Sequence, residues 1–451
     1  MWWGVRYALY DRIAARLPAE RAAARREGLP LTPAELRATL PQVADADNAA
    51  VVYRSLLPAS GAAEIDATPV ELWFRARGKR RPDGTLPKTP VTPAVRVNFA
   101  ALAPRLTVAE RASRMPACDW GYRSTNQVQT DFRNTSQSRA LVRQFSARAL
   151  MRSDDGDLPG AFADVGTAAR VSNHIGASPT LIALLTRIGA EAIAHQAFLR
   201  VTLSHPDDPR AVLLSRRAND AFCPVPEADF ARTLNSRGVE LHTSVEEFRR
   251  NPAAFYRESP RSSQDDQEDE EEAQLPPLPT GPPRMLADAW ETTGVADLRA
   301  MKAVLRAHPG SLLEQYRGLE AISRRQELRK KLPGREFPSV QGSASLFAIT
   351  ARRTLGSTAQ ARLRRTLIAL LEARHRSRTR TWPSTLPPAP ADAPDEHTDP
   401  YTGRPLRYRT TDGGKGFVLY SVGFDFTDDG GHVGQRNGEG LRVDDITVRY
   451  P

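Results

Sequence analysis

The chain of 451 residues is poor in cysteine, lysine, aromatic residues and long apolar runs. Its two cysteines, Cys118 and Cys223, allow one disulfide at most. Without histidines at ligand spacing beside them they build no zinc cluster. Both lie in loop-like text, "MPACDWG" and "AFCPVPE", so a single bridge and two separate thiols are both open. No apolar run reaches the roughly 18 residues that a membrane-crossing helix needs. Lysine supplies six of the 63 basic residues, so the formal charge of +10 is an arginine charge, and it is spread along the chain. Single-strand binders interleave basic residues with stacking aromatics. With aromatics at 7% and no such run, composition argues against a nucleic-acid partner. Walker and dinucleotide loops, nucleophile elbows and metalloprotease helices are also missing. The "GGKG" of 413–416 lacks the Walker spacing, and "GHVGQRNGEG" follows no βα unit. No catalytic residue and no small-molecule cofactor is therefore expected, and the chain reads as non-enzymatic.

What is present is mostly helix. At this length two to four domains are expected. Residues 5–28 read as one helix ended by Gly28. "LTPAEL" then restarts one, with Thr32 as N-cap, Pro33 at N1 and Glu35 closing a capping box. "DADNAAVVYRSLL" starts another, capped by Asn48 or Asp47, and 76–93 is a basic loop broken by Pro and Gly. Between 138 and 203 the pattern gives three helices separated by "DDGD" and "GASP". In the third, Leu181, Leu184, Leu185, Ile188, Ala192, His195 and Leu199 share one apolar face, which makes His195 a packed core histidine. These hairpins are TPR-like, without a second clean copy at the TPR period.

Seven of the eight residues of 265–272 are acidic and the following text is proline-rich, so 257–284 reads as a disordered insert. Setting those seven aside from +10 leaves the rest of the chain at +17. The division that follows is a helical-hairpin body over 1–256, the insert over 257–284, a second helical segment over 285–342 and a C-terminal module over 343–451. The module opens with a long helix, 343–376, and ends in three short antiparallel strands marked by alternating β-branched and aromatic residues between Gly and Asp turns. The fold class is thus mainly α, with a small α+β module of one long helix and a three-stranded antiparallel sheet.

In that module the order of helix, "WPSTL", "DPYTGRPLRY", "GFVLYSVGFDFTDDGG" and "DDI" resembles the C-terminal part of the major pseudopilin of the type II secretion system. The resemblance covers about the last 85 residues. It implies a structural calcium ion in the Asp-rich turn, with Asp425 and Asp444 or Asp445 as ligands, helped by the carbonyl of Leu419; Asp429 of the same turn is a further candidate ligand by its spacing from Asp425. Calcium takes six to eight oxygens from carboxylates and carbonyls on flexible loops. An EF-hand places Asp425, Thr427, Asp429 and Gly430 correctly but fails at the closing position, which is Arg436. The module follows hundreds of other residues and its helix is arginine-rich, so filament assembly is not expected.

Together with "LTPAEL", "DADNAA" and "PACDWG", this ending also resembles envelope proteins of planctomycete-type bacteria with no assigned function. These carry an N-terminal membrane anchor and an extracytoplasmic body, which implies an extracytoplasmic place in the cell envelope; a cytoplasmic location is the alternative. Trp2, Trp3, Tyr7 and Tyr10 followed by arginines fit the belt that flanks a membrane helix, as they would if an anchor were missing or truncated. An amphipathic first helix docked on the core fits equally. The functional expectation is a protein-interaction scaffold for an unidentified protein partner. A hydrolase with a site between body and module is the alternative, and an anionic-surface or nucleic-acid binder a weaker one.

Overall fold

A computed structural model describes residues 2–56, 67–78, 89–121, 127–225, 227–252, 283–330, 343–432 and 445–450. The acidic stretch 265–272 and Asp444 lie outside them. The chain is mostly helical with a small three-stranded antiparallel sheet near its C-terminus. No helix of the described residues is long and apolar enough to cross a membrane. Two compact units emerge, each drawing on separated stretches of chain.

The first unit contains α1 (Trp2–Ala14), α2 (Leu17–Arg26) and α3 (Pro33–Thr39) from the N-terminal end. The single helix expected over 5–28 is thus two. Pro18 in the first turn of α2 has no N–H to bond back into α1 and its ring crowds the preceding carbonyl, so the chain breaks at Ala15–Arg16. The capping box of α3 forms as expected: Thr32 Oγ1 accepts from the Glu35 amide at 3.2 Å and Glu35 Oε2 from the Thr32 amide at 3.2 Å. Tyr10 is buried in this unit, as the docked first helix requires; the side chains of Trp2, Trp3 and Tyr7 lie outside the described residues.

The later part of the chain completes the unit. Most of α11 (Glu227–Arg250), then α12 (Pro283–Ala307) and α13 (Leu312–Lys330), join it. On α12, Leu286, Trp290, Leu298, Met301 and Leu305 form the buried stripe, and α1, α2 and α13 pack against that helix. Glu291 on the same helix is fully buried. It accepts from Arg21 Nε and Nη2 at 2.7 and 2.6 Å, from His242 Nδ1 at 3.0 Å and from Arg249 Nη2 at 2.9 Å. Lys302 and Arg306 donate to the carbonyls of Gly28 and Glu27, which the end of α2 would otherwise leave bare. Burial there pushes the Lys302 ammonium down to about 8.

The second unit holds α4 (Ala49–Ser55), α5 (Thr68–Gly78), α6 (Pro93–Ser113), α7 (Gln127–Asp154), α8 (Leu158–Ile175), α9 (Leu181–Ser204), α10 (Ala211–Asn219), most of α14 (Ser343–Arg376) and the sheet. Of the two possible caps for α4, the structure uses Asn48, whose Oδ1 accepts from the Ala50 amide at 3.0 Å and the Asp119 amide at 2.8 Å. α7 begins eleven residues before the expected start at 138; of the basic loop expected over 76–93, residues 76–78 belong to α5 and 79–88 lie outside the described residues. α8 and α9 form a helical hairpin across the short turn 176–180; Asp157 and Thr180 cap their N-termini. Leu363, Leu367, Leu370 and Leu371 of α14 share one continuous core with α4–α9 and with Trp382, Leu406, Phe417, Leu419 and Val448 around the sheet.

The sheet has the order β1 (Arg407–Thr411), β2 (Gly416–Ser421), β3 (Ile446–Tyr450), with Tyr408 opposite Leu419 and Leu419 opposite Val448. β2 is central and buried along its whole length. Both cysteines are unpaired.

Candidate functional site

The C-terminal turn that sequence singles out is built on a lock formed by Asp399. This residue is 1% exposed, and its carboxylate is filled by protein donors. Oδ1 accepts from the Tyr401 amide at 3.0 Å and Ser421 Oγ at 2.9 Å; Oδ2 accepts from the Val422 amide at 2.9 Å. Backbone bonds from the Gly403 amide to the Asp399 carbonyl at 2.8 Å and from the Asp399 amide to the Arg404 carbonyl at 2.7 Å close "DPYTGR" into a tight turn. The lock joins that turn to the end of β2, so the acidic loop leaves the sheet in a set direction. Sequence reasoning passed over Asp399. The signal was there, an Asp-Pro opening a turn with Gly and Pro a few residues on.

Past the lock, Phe424 and Phe426 close on Tyr401 with ring centroids 6.0 and 5.4 Å away. Tyr401 donates its hydroxyl to the Arg352 carbonyl of α14 at 3.1 Å. The approach to the helix is close at Gly356, where a Cβ would lie 2.9 Å from Phe424 Cζ and 3.2 Å from the Tyr401 hydroxyl. Gly356→Ala is expected to lower stability by about 1–3 kcal/mol through overpacking, and Gly356→Val by more, in chemical denaturation followed by near-ultraviolet circular dichroism.

The acids of the turn take different roles. Asp425 Oδ1 accepts from the Thr427 amide at 2.9 Å, a local Asx turn. Asp428, not singled out from sequence, accepts from Arg407 Nε at 3.0 Å, Tyr420 Oη at 2.9 Å and the Gly430 amide at 3.1 Å. The Arg407 bond is the main cause that holds its carboxyl below the ordinary range. Asp429 is exposed, and so is His432. Leu419 lies mid-way along the central strand, with partners on both sides.

Asp445, immediately before β3, stands apart. It is 3% exposed; Oδ2 accepts from the Gly431 amide at 2.6 Å, the Asp429 amide also helps hold the carboxylate, and Oδ1 has no hydrogen bond of good geometry among the described residues. Gly431 reaches it with φ +79, and a Cβ there would sit 2.8 Å from Val418 Cγ1, so only glycine lets that amide approach. Burial first, and then the charges of Asp429 and Asp428, push the Asp445 carboxyl up to about 6. Asp445 thus lies within electrostatic reach of Asp428 and Asp429, while Asp425 caps its own turn. Among the described residues no group of three or more His, Cys, Asp or Glu side chains is gathered to hold a metal ion. The buried Oδ1 of Asp445 in acidic surroundings fits a hard cation with oxygen ligands.

Elsewhere in the second unit a buried polar network centres on Arg364. Arg364, fully buried, donates to Glu191 Oε1 at 3.4 Å, His195 Nδ1 at 3.3 Å and Asn219 Oδ1 at 3.2 Å, and its guanidinium carbon lies 3.8 Å from the Phe222 ring centroid. Ser357 donates to Glu191 Oε2 at 2.8 Å. Burial holds His195 neutral, well below its ordinary range, so it is a packed core histidine as its place on the apolar face of α9 suggests. Comparison with known protein families, curated proteins and solved structures finds no match to this chain.

Proposed function

We propose that this protein is a non-enzymatic interaction scaffold of the cell envelope, with TPR-like helical hairpins in its body and a pseudopilin-like C-terminal module closed by a structural calcium ion. The observation that carries the ion is Asp445 Oδ1, a buried carboxylate oxygen with no hydrogen bond of good geometry among the described residues, in the field of the Asp428 and Asp429 charges. Asp445 and Asp429 supply carboxylate oxygen in this reading, with Asp444 and Asp425 as further ligands and the Leu419 carbonyl as a minor one. The α8–α9 hairpin supports the scaffold part, since stacked helical hairpins present long surfaces to protein partners. Trp2, Trp3 and Tyr7 followed by arginines support placement at a membrane, whereas Tyr10 belongs to the core of the first unit.

Calcium is expected to raise the unfolding temperature of the full-length chain and to give a saturable heat in titration calorimetry; Asp445→Ala is expected to abolish both. No heat from the wild type, or an unchanged response in the variant, would sink the ion site. The pH dependence follows from the raised Asp445 carboxyl. The folded state holds this proton more tightly than the unfolded chain, so without calcium this group's contribution to stability falls as pH rises from about 4 to about 6. Calcium competes with the same proton, so its affinity is expected to rise across that window. In calcium-free buffer at pH 7, Asp445→Asn is expected to stabilise the module by about 1 kcal/mol, or about 2 °C.

A further inference from the structure

We infer that the end of α14 is a docking point for anionic lipid headgroups. The stretch "RHRSRTRTW", 374–382, puts four arginines at alternate positions where the long helix gives way to the loop before the sheet. Two acids stand nearby. Asp207 accepts from Arg374 at 2.8 Å, and Glu372 is shared between Arg216 and, at 3.9 Å, Arg376. Arg378 and Arg380 are exposed and have no carboxylate within ion-pair distance among the described residues. Arg376 keeps 77% of its side chain in solvent. The ordinary service of cations at a helix C-terminus, offsetting the helix dipole, extends over the last turn. It accounts for Arg374 and Arg376 but not for the two arginines beyond the helix.

Oxyanion donors cluster on the same segment. Ser377 Oγ and Thr379 Oγ1 lie 2.9 Å apart, and Thr379 Oγ1 and Thr381 Oγ1 2.8 Å apart. Three hydroxyl protons serve two bonds, so one O–H remains to donate outward. Arg380 is held with φ +53, a strained left-handed conformation for a residue with a side chain, and its guanidinium donates to His375 Nδ1. That bond leaves the His375 proton on Nε2, a buried atom that does not reach the surface. A phosphate oxygen would meet the free hydroxyl and the exposed guanidinium forks together.

The chemistry favours a lipid surface over a nucleic acid. Trp382, the aromatic residue of the segment, is 2% exposed and lies under Arg374, so no ring is offered for base stacking. The donors also sit on the six consecutive residues 376–381, a point contact that suits headgroups on a plane. This inference does not depend on the calcium reading. The test is sedimentation of the full-length protein with phosphatidylcholine vesicles, with and without phosphatidylserine, at low and high salt. Binding is expected only to the serine-containing vesicles, and is expected to fall at high salt. At roughly the affinity contributed by each arginine near such a surface, R376E/R378E/R380E should lower it at least about tenfold. The charge-matched R317E/R324E/R325E, at exposed positions of α13, should retain it. Absence of wild-type binding, equal binding to both vesicles, or equal losses in the two variants overturns the assignment. So does binding of duplex DNA as tightly as vesicles, if R376E/R378E/R380E abolishes it.

Discussion

Replacing Glu291 by glutamine is expected to destabilise the first unit by about 3–5 kcal/mol, the cost of breaking a buried ion pair by removing one partner. Glu291 is fully buried, and its two oxygens receive Arg21, Arg249 and His242. Glutamine keeps the shape but puts an NH2 donor where one of these donors now points and removes the charge the guanidiniums face. Burial opposes the Glu291 charge, but the bonds from His242 and Arg21 and their charges outweigh it and hold the carboxyl at about 2. A lowered acid contributes stability above its unfolded value near 4.5 that disappears as pH falls from there toward 2. Hydrogen exchange should show loss of protection in α2 and α12 in the variant at pH 7, and the wild type should approach the variant as pH falls through that window. Unchanged protection in α12 would show that the network is not holding these helices.

Asp399→Ala is expected to release the C-terminal turn, at about 4 kcal/mol, because the Val422 amide and the Ser421 hydroxyl are left buried without an acceptor. Asparagine is not a remedy: all three groups around the carboxylate donate, and an amide would turn its own donors toward one of them. Near-ultraviolet circular dichroism of the Trp382, Phe417 and Tyr450 cluster, whose ring centroids lie 4.6–6.3 Å apart, reports the packing of the sheet. Loss of that signal in Asp399→Ala with far-ultraviolet helicity retained is the expected result. An intact aromatic signal would mean that the turn holds without its lock. In that case the position of Asp445 would have to be set by the strands alone.

Much of the backbone is legible in the residues. The Thr32–Glu35 capping box, the apolar face of α9 and the three strands follow from short-range rules, and the structure contains them. The helix break at Pro18 was equally local, and it was overlooked because the apolar pattern carries on across it. The site was less legible. Asp425, Asp428, Asp429 and Asp445 are alike in sequence, yet one caps its own turn, one bonds Arg407 and Tyr420, one is exposed and one is buried against the Gly431 amide. Arg364 and Arg365 stand side by side in α14, but the first is sealed beneath Phe222 and the second keeps 41% of its side chain in solvent.

Local text suffices for the helical class, the caps, the sheet and the basic, arginine-borne charge, because each depends on residues within a few positions of one another. Only the tertiary structure decided which charges are buried and with whom. Glu291 meets Arg21 across 270 positions and Glu191 meets Arg364 across 173. The physical reason is that desolvation and pairing depend on what the fold packs around a side chain, and a carboxylate in an Asp-rich stretch has the same local text whether it ends up in water or in the core.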